Sequence, residues 1–130
     1  MPAQDGDRYN LQLGSSGTTF AVECVVSTAA LKQGLSGRER LAAGSGMLFI
    51  FPALAKQSMW MPDMLFALDI VWLDETLAVT HITYGAPPCP SRNNCPGYSS
   101  KYDAKYAIEM VSGDARKYGF TEGMPIKVLF

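Results

Sequence analysis

Ala67-Leu68-Asp69-Ile70-Val71-Trp72-Leu73, then Asp74-Glu75, then Thr76-Leu77-Ala78-Val79-Thr80-His81-Ile82-Thr83-Tyr84 is the stretch that decides the fold class. Both outer runs are short and rich in β-branched and aromatic residues, and the acidic pair between them is a turn signal. They read as antiparallel strands joined at Asp74-Glu75. That register sets Leu73 opposite Thr76, Trp72 beside Leu77, Ile70 beside Val79 and Leu68 beside His81 on one face. Asp69, Val71, Thr80 and Ile82 then share the other face.

The same rhythm extends outward. Tyr9, Leu11 and Leu13 alternate with polar residues, Gly14-Ser15-Ser16-Gly17 is a turn, and Phe20, Val22, Cys24 and Val26 alternate again, which makes a hairpin. Ser27 is a helix cap for Ala29, Ala30, Leu31 and Lys32, with Gly34 near the end. Residues 37–46 are a Gly- and Arg-rich loop. Strands follow at Met47–Phe51 and Ser58–Met61. Downstream come a long loop, Gly85–Asp103, a strand at Lys105–Val111, a capped short helix at Ser112–Gly119 and a last strand at Pro125–Phe130. Phe20, Val22, Leu48, Ile50, Leu68, Ile70, Trp72, Val79, Ile108 and Val128 are expected to share one core. The fold class is mainly β: a single domain over residues 1–130, an antiparallel sandwich or distorted barrel with two short helices.

Composition narrows the function classes. Of 130 residues, 48% are hydrophobic and 18% charged, below the usual share of about 25%, so the chain is not intrinsically disordered. A net charge of −1 offers no electrostatic footprint for nucleic acid or an anionic membrane. No apolar run reaches the roughly eighteen residues of a membrane span. The N-terminus, Met1 to Arg8, has no apolar signal region, which favours the cytoplasm unless a leader was trimmed away.

Three stretches carry a resemblance to a known family. They are Leu31-Lys32-Gln33-Gly34-Leu35 through Arg40-Leu41, Gly46-Met47-Leu48-Phe49-Ile50-Phe51, and Trp60-Met61 followed by Ala67-Leu68-Asp69-Ile70. Tyr106–Glu109 and Gly123 agree more loosely. The chain resembles the uncharacterised bacterial and archaeal family called domain of unknown function 192. The resemblance implies a mainly β, sandwich-like fold and no particular activity. Pro62-Asp63, Ala67 and Met124 depart from the family pattern.

Several residues could carry chemistry. Cys89 and Cys95, six apart in the Pro-rich loop with Arg92 between them, are a candidate disulfide, read as a loop staple, with inert thiols or a redox or metal role as alternatives. Cys24 reads as a buried small hydrophobe. Met59, Met61 and Met64 with His81 offer soft-metal donors, but methionine is also a common core filler. Asp69 and Glu109 each interrupt an apolar strand, where a buried carboxylate needs a partner. Together with Trp60 and Tyr98 they are expected to form one ligand cleft near the 85–103 loop. Separate satisfaction of each carboxylate by backbone amides is the competing reading. Arg38 and Arg40 could receive an anion, or be simply solvated. No phosphate-binding Gly-rich loop, nucleophile elbow, zinc motif or other cofactor signature is present.

The sequence names no reaction. Its first reading is a small binding module holding a small ligand or partner protein. A redox or metal-dependent enzyme using the Cys89/Cys95 loop with Asp69 and Glu109 is the alternative, and a structural or assembly subunit is the third. Oligomeric state stays open.

Overall fold

The structure is a computed structural model that describes residues 3–129. Met1 and Pro2 of the N-terminal stretch, and Phe130 of the expected last strand, lie outside the described residues. Seven strands form one sheet: β1 (Arg8–Leu13), β2 (Thr19–Val25), β3 (Ser45–Met59), β4 (Leu68–Leu73), β5 (Val79–Ala86), β6 (Tyr98–Val111) and β7 (Ile126–Leu129). Their order is β5-β4-β6-β3-β2-β1-β7. Every pair is antiparallel except β2 and β3, which run parallel. A parallel pair needs a crossover, and α1 (Thr28–Gln33) supplies it. The Ser27 hydroxyl accepts from the Ala30 N–H and caps that helix, as its position suggests. The second short helix, α2 (Asp114–Lys117), follows β6. Among the described residues, no helix is long and apolar enough to cross a membrane.

The expected choice between sandwich and barrel resolves as a curled half-barrel made from one sheet. Its two edge strands meet at one end. There the Val79 N–H donates to the Met124 carbonyl (2.9 Å), the Gly123 N–H to the Val79 carbonyl (2.7 Å) and the Ile126 N–H to the Leu77 carbonyl (2.9 Å).

Curling gives the sheet two buried faces, so the single expected core is two. The inner cluster draws on every strand and includes Leu11, Phe20, Val22, Leu48, Val71, Val79, Ile108 and Ile126, with Ile50 and Val128 packed against it. The outer cluster includes Met47, Phe49, Phe51, Leu68, Ile70, Trp72 and Ala107, flanked by Leu31 of α1 and by Met61 and Met64. Strand alternation sorts the two: Leu48 pairs with Ile108 facing in, while Met47–Glu109 and Phe49–Ala107 face out. All six residues of β4 are buried, as expected of a strand covered on both sides.

The hairpin register differs from the sequence expectation. The turn is longer than Asp74-Glu75: the Asp74 carboxylate accepts from the Thr76 and Ala78 N–H groups, and Leu77 takes φ 67°. Leu73 therefore pairs with Val79, and Trp72 with His81. Two residues on β4 advance one step while β5 advances two, so a bulge intervenes. That bulge sends Val79 into the inner cluster, away from Ile70 and Trp72. Ser58–Met61 is likewise no separate strand. β3 continues through Pro52 to Met59, with its register to β6 shifting between Ile50 and Ala55, where a proline is tolerated. Residues 98–103 of the expected long loop are the start of β6.

Candidate functional site

Glu109 sits on β6 between Met47 of β3 and Ile70 of β4, on the outer face. Neither neighbour can donate a hydrogen bond, and the strand's own amides serve the sheet ladder. The side chain is 5% exposed. Among the described residues no hydrogen bond or ion pair reaches its carboxyl group. Burial alone pushes that carboxyl up to about 8, so it is mainly protonated at neutral pH.

α1 ends directly over this carboxyl. Gly34 adopts φ 50° and ψ −127°, a region open to glycine, and a Cβ there would lie 3.0 Å from Phe49 Cζ and 3.6 Å from Glu109 Oε1. Close approach recurs beneath: a Cβ on Gly46 would lie only 2.3 Å from the Glu109 carbonyl oxygen. The space left between α1, the sheet and the end of β3 is a cleft of about 360 Å³, within the usual range for small-molecule sites. Leu31, Gly34, Phe49, Phe51, Trp60 and Glu109 are among its lining residues, and Lys32 stands at its exposed rim. Phe49 and Phe51 stack at 6.4 Å, and Phe51 stacks on buried Trp72 at 6.4 Å, so one flank is a continuous aromatic layer.

The outer wall is braced. The Arg92 guanidinium lies over the Trp60 ring at 5.7 Å and also pairs with Asp63. Arg92 belongs to the ring closed by Cys89 and Cys95, whose Cα atoms are 4.9 Å apart at disulfide-bonding distance. The Ser36 hydroxyl donates to the Pro62 carbonyl and the Gly37 N–H to the Asp63 carbonyl, tying the exit of α1 to the same wall.

The expected four-residue site is only half assembled. Trp60 and Glu109 line one cleft. Asp69 does not join them: it pairs with Met110, one step from Glu109, and so lies on the opposite face of the sheet. Its carboxylate accepts from the N–H groups of Gly85 (2.8 Å), Gly113 (2.9 Å) and Ala115 (3.0 Å), which anchors the end of β5 and the start of α2. The backbone-amide reading thus holds for Asp69 and fails for Glu109. Tyr98 pairs with Met59 and packs on the outer cluster, outside the cleft lining. Arg38 pairs with Glu23 (3.3 Å) and Arg40 is exposed on the loop. Met61 and Met64 are buried in the outer cluster, while His81 stands opposite Trp72 with Nδ1 3.6 Å from Glu122 at the seam. Among the described residues, no group of three or more His, Cys, Asp or Glu could hold a metal.

Sequence reasoning missed Gly34, Phe49, Phe51 and Leu31 as cleft residues. The signal was present: 31–35, 46–51 and 60–61 are the stretches that carry the family resemblance, and all three meet above Glu109. The departure at Met124 lies elsewhere, packed on the inner cluster by the seam.

A curled seven-stranded sheet with a carboxyl-floored cleft under α1 on its outer face defines a small mainly-β domain. The chain belongs to the family domain of unknown function 192, described as "Uncharacterized ACR", whose profile matches residues 11–128. The chain is similar in structure to a protein from Sinorhizobium meliloti provisionally described as a transcription regulator. That likeness has a TM-score of 0.85 at 25% identity and covers 97% of both chains. It is also similar to a protein of unknown function from Novosphingobium aromaticivorans, with a TM-score of 0.84 at 22% identity, covering 98% of this chain and 89% of that one. No curated protein matches the chain.

Proposed function

We propose that this domain is a small-ligand binding module whose ligand occupies the cleft between α1 and the outer face of the sheet. One observation carries the reading: separated stretches at 31–35, 49–51, 60 and 109 meet around a buried carboxyl that has no partner among the described residues. A carboxyl set among apolar side chains, open to the cleft and without a partner among the described residues, is available to a polar group of a ligand. Aromatic and aliphatic side chains supply contact area, and the Glu109 carboxyl, with neutral polar side chains such as Ser36 and Ser58 in the lining, supplies orientation.

The enzymatic alternative finds less support. It needs Asp69 and Glu109 on one side of the sheet, and Asp69 is committed to three backbone amides on the other. The neighbour described as a transcription regulator raises nucleic acid as a partner, but 11 basic against 12 acidic residues offer no electrostatic basis for it. The test is titration of the protein with six-carbon neutral, cationic and anionic probes. Melting temperature and Trp60 emission are followed. A saturable shift in both is expected, and it should be lost in Leu31→Phe, which crowds the mouth without adding an indole. No shift with any probe at millimolar concentration would overturn the reading and favour an assembly role.

A further inference from the structure

The polarity of the cleft floor points to one class of ligand. Hydrocarbon and aromatic side chains predominate in its lining, beside the neutral polar Thr28, Gln33, Ser36 and Ser58; its one acidic group is the Glu109 carboxyl, and among the described residues no cation pairs with it. No charged group on the elements packed around it pairs with it among the described residues; Lys101 and Asp103, on the far arm of β6, are exposed. Lys32 of α1 stands at the rim, exposed to solvent. Lys105, four residues back along β6, donates to the Phe51 carbonyl at 2.7 Å. Lys56 lies on the exposed arm of β3, and Asp69 of β4 lies on the other face. The pair across from Glu109, Met47 and Ile70, is apolar.

We infer that the cleft takes a small organic amine, whose ammonium group pairs with the Glu109 carboxylate while its hydrocarbon body packs among Leu31, Phe49, Phe51 and Trp60. This deepens the small-ligand reading and rests on it. An ammonium donates hydrogen bonds to both carboxylate oxygens and compensates the charge that the apolar surroundings otherwise disfavour. The aromatic faces add attraction for a cation that no aliphatic wall would supply. An anionic ligand meets no cation at the floor. Binding has a fixed proton balance: the amine arrives as the ammonium ion, the protonated carboxyl releases one proton to solvent, and the bound pair is carboxylate and ammonium.

Calorimetric titration with hexylamine, hexanol and hexanoate tests this on the intact chain. Runs at pH 7 in phosphate and in MOPS, whose ionisation heats differ and neither of which is a primary amine, count the protons exchanged. Hexylamine is expected to bind about tenfold or more tighter than hexanol, as a charged hydrogen-bonded pair implies. It should also release close to one proton, a count that needs no variant. Glu109→Gln should erase the amine preference while leaving hexanol binding in place. Equal affinity for amine and alcohol, or tightest binding of hexanoate through Lys32, would overturn the amine assignment and leave the cleft reading standing. Failure of all three probes to bind would remove both.

Discussion

Glu109 Oε1 lies 3.6 Å from the point where a side chain on Gly34 would begin. A helix exit and the middle of a distant strand therefore share one small volume, and the absence of a Cβ at residue 34 keeps the carboxyl open to the cleft. Gly34→Ala should close it. The backbone there has φ 50° and ψ −127°, and the new methyl would sit 3.0 Å from Phe49 Cζ. The expected cost is about 1–3 kcal/mol by urea denaturation, with weaker binding of any cleft ligand. A loss below about 0.5 kcal/mol would mean that neither strain nor crowding operates at this position.

Glu109 makes stability fall as pH rises. Its carboxyl titrates at about 8 in the folded protein, against a reference value of 4.5 for the free side chain. Between those values the folded state holds a proton that the unfolded state has lost. Stability contributed by the neutral form is complete below about 4.5 and is lost as pH climbs through about 8. Glu109→Gln has no proton to lose. Melting curves from pH 5 to pH 9 should find the variant gaining on the parent with rising pH, by a few kcal/mol at the upper end. Parallel curves would indicate that the carboxyl is not desolvated.

Asp69 is a fastener, with no part in the cleft. In Asp69→Asn, one of the two oxygens becomes a donor. If that is Oδ2, it confronts the Gly113 and Ala115 N–H groups; if Oδ1, the Gly85 N–H. A loss of about 2 kcal/mol or more is expected in chemical denaturation. Ligand-induced changes in Trp60 emission should survive under conditions where the variant is folded. An unchanged stability would contradict the anchoring role.

The Cys89–Cys95 ring stabilises a wall of the cleft. Closing so short a loop is worth about 2 kcal/mol through the unfolded chain. Cys89→Ser with Cys95→Ser should therefore melt earlier. It should also alter Trp60 emission, because Arg92 is presented by the same ring at 5.7 Å from that indole. Thiol titration of the oxidised parent under denaturing, non-reducing conditions should return one thiol per chain, that of Cys24, which is free and buried. In the folded state burial pushes the Cys24 thiol up to about 11, so it should resist alkylation at pH 8. Three reactive thiols would remove the staple.

The outer core is as demanding as the inner one. Ile70 is fully buried next to Glu109 on the pairing strand, and Ile70→Ala should cost about 2–5 kcal/mol. Differential denaturation by urea gives the value directly. A cost near zero would mean that the outer cluster is loosely packed.

How much of this was legible without coordinates follows from the range of each interaction. Alternation marked the strands around Leu11, Phe20, Leu48 and Ile108. Ser27 and Gly34 marked the ends of α1, because caps depend on neighbours a few residues away. The spacing of Cys89 and Cys95 marked a staple for the same reason. Alternation failed where one residue was added. The bulge between Val79 and His81 reversed the face of everything before it, and a bulge leaves no clear local signature. Pro52 misled in the same way, since a proline ends a strand unless the partner strand shifts register around it.

Sequence alone sufficed to show a mainly β chain with two short helices, to place most of its strands to within a few residues, and to show that Asp69 and Glu109 each interrupt an apolar strand. Those are consequences of local periodicity and composition. The curling of the sheet until the ends of β5 and β7 meet, and the division of the core between two faces, emerge in three dimensions. The tertiary structure alone gave one carboxylate three amides and left the other, under Gly34, without a partner among the described residues. The physical reason is parity. Asp69 and Glu109 lie on adjacent strands one residue out of step, and in a pleated sheet one residue is the difference between its two sides.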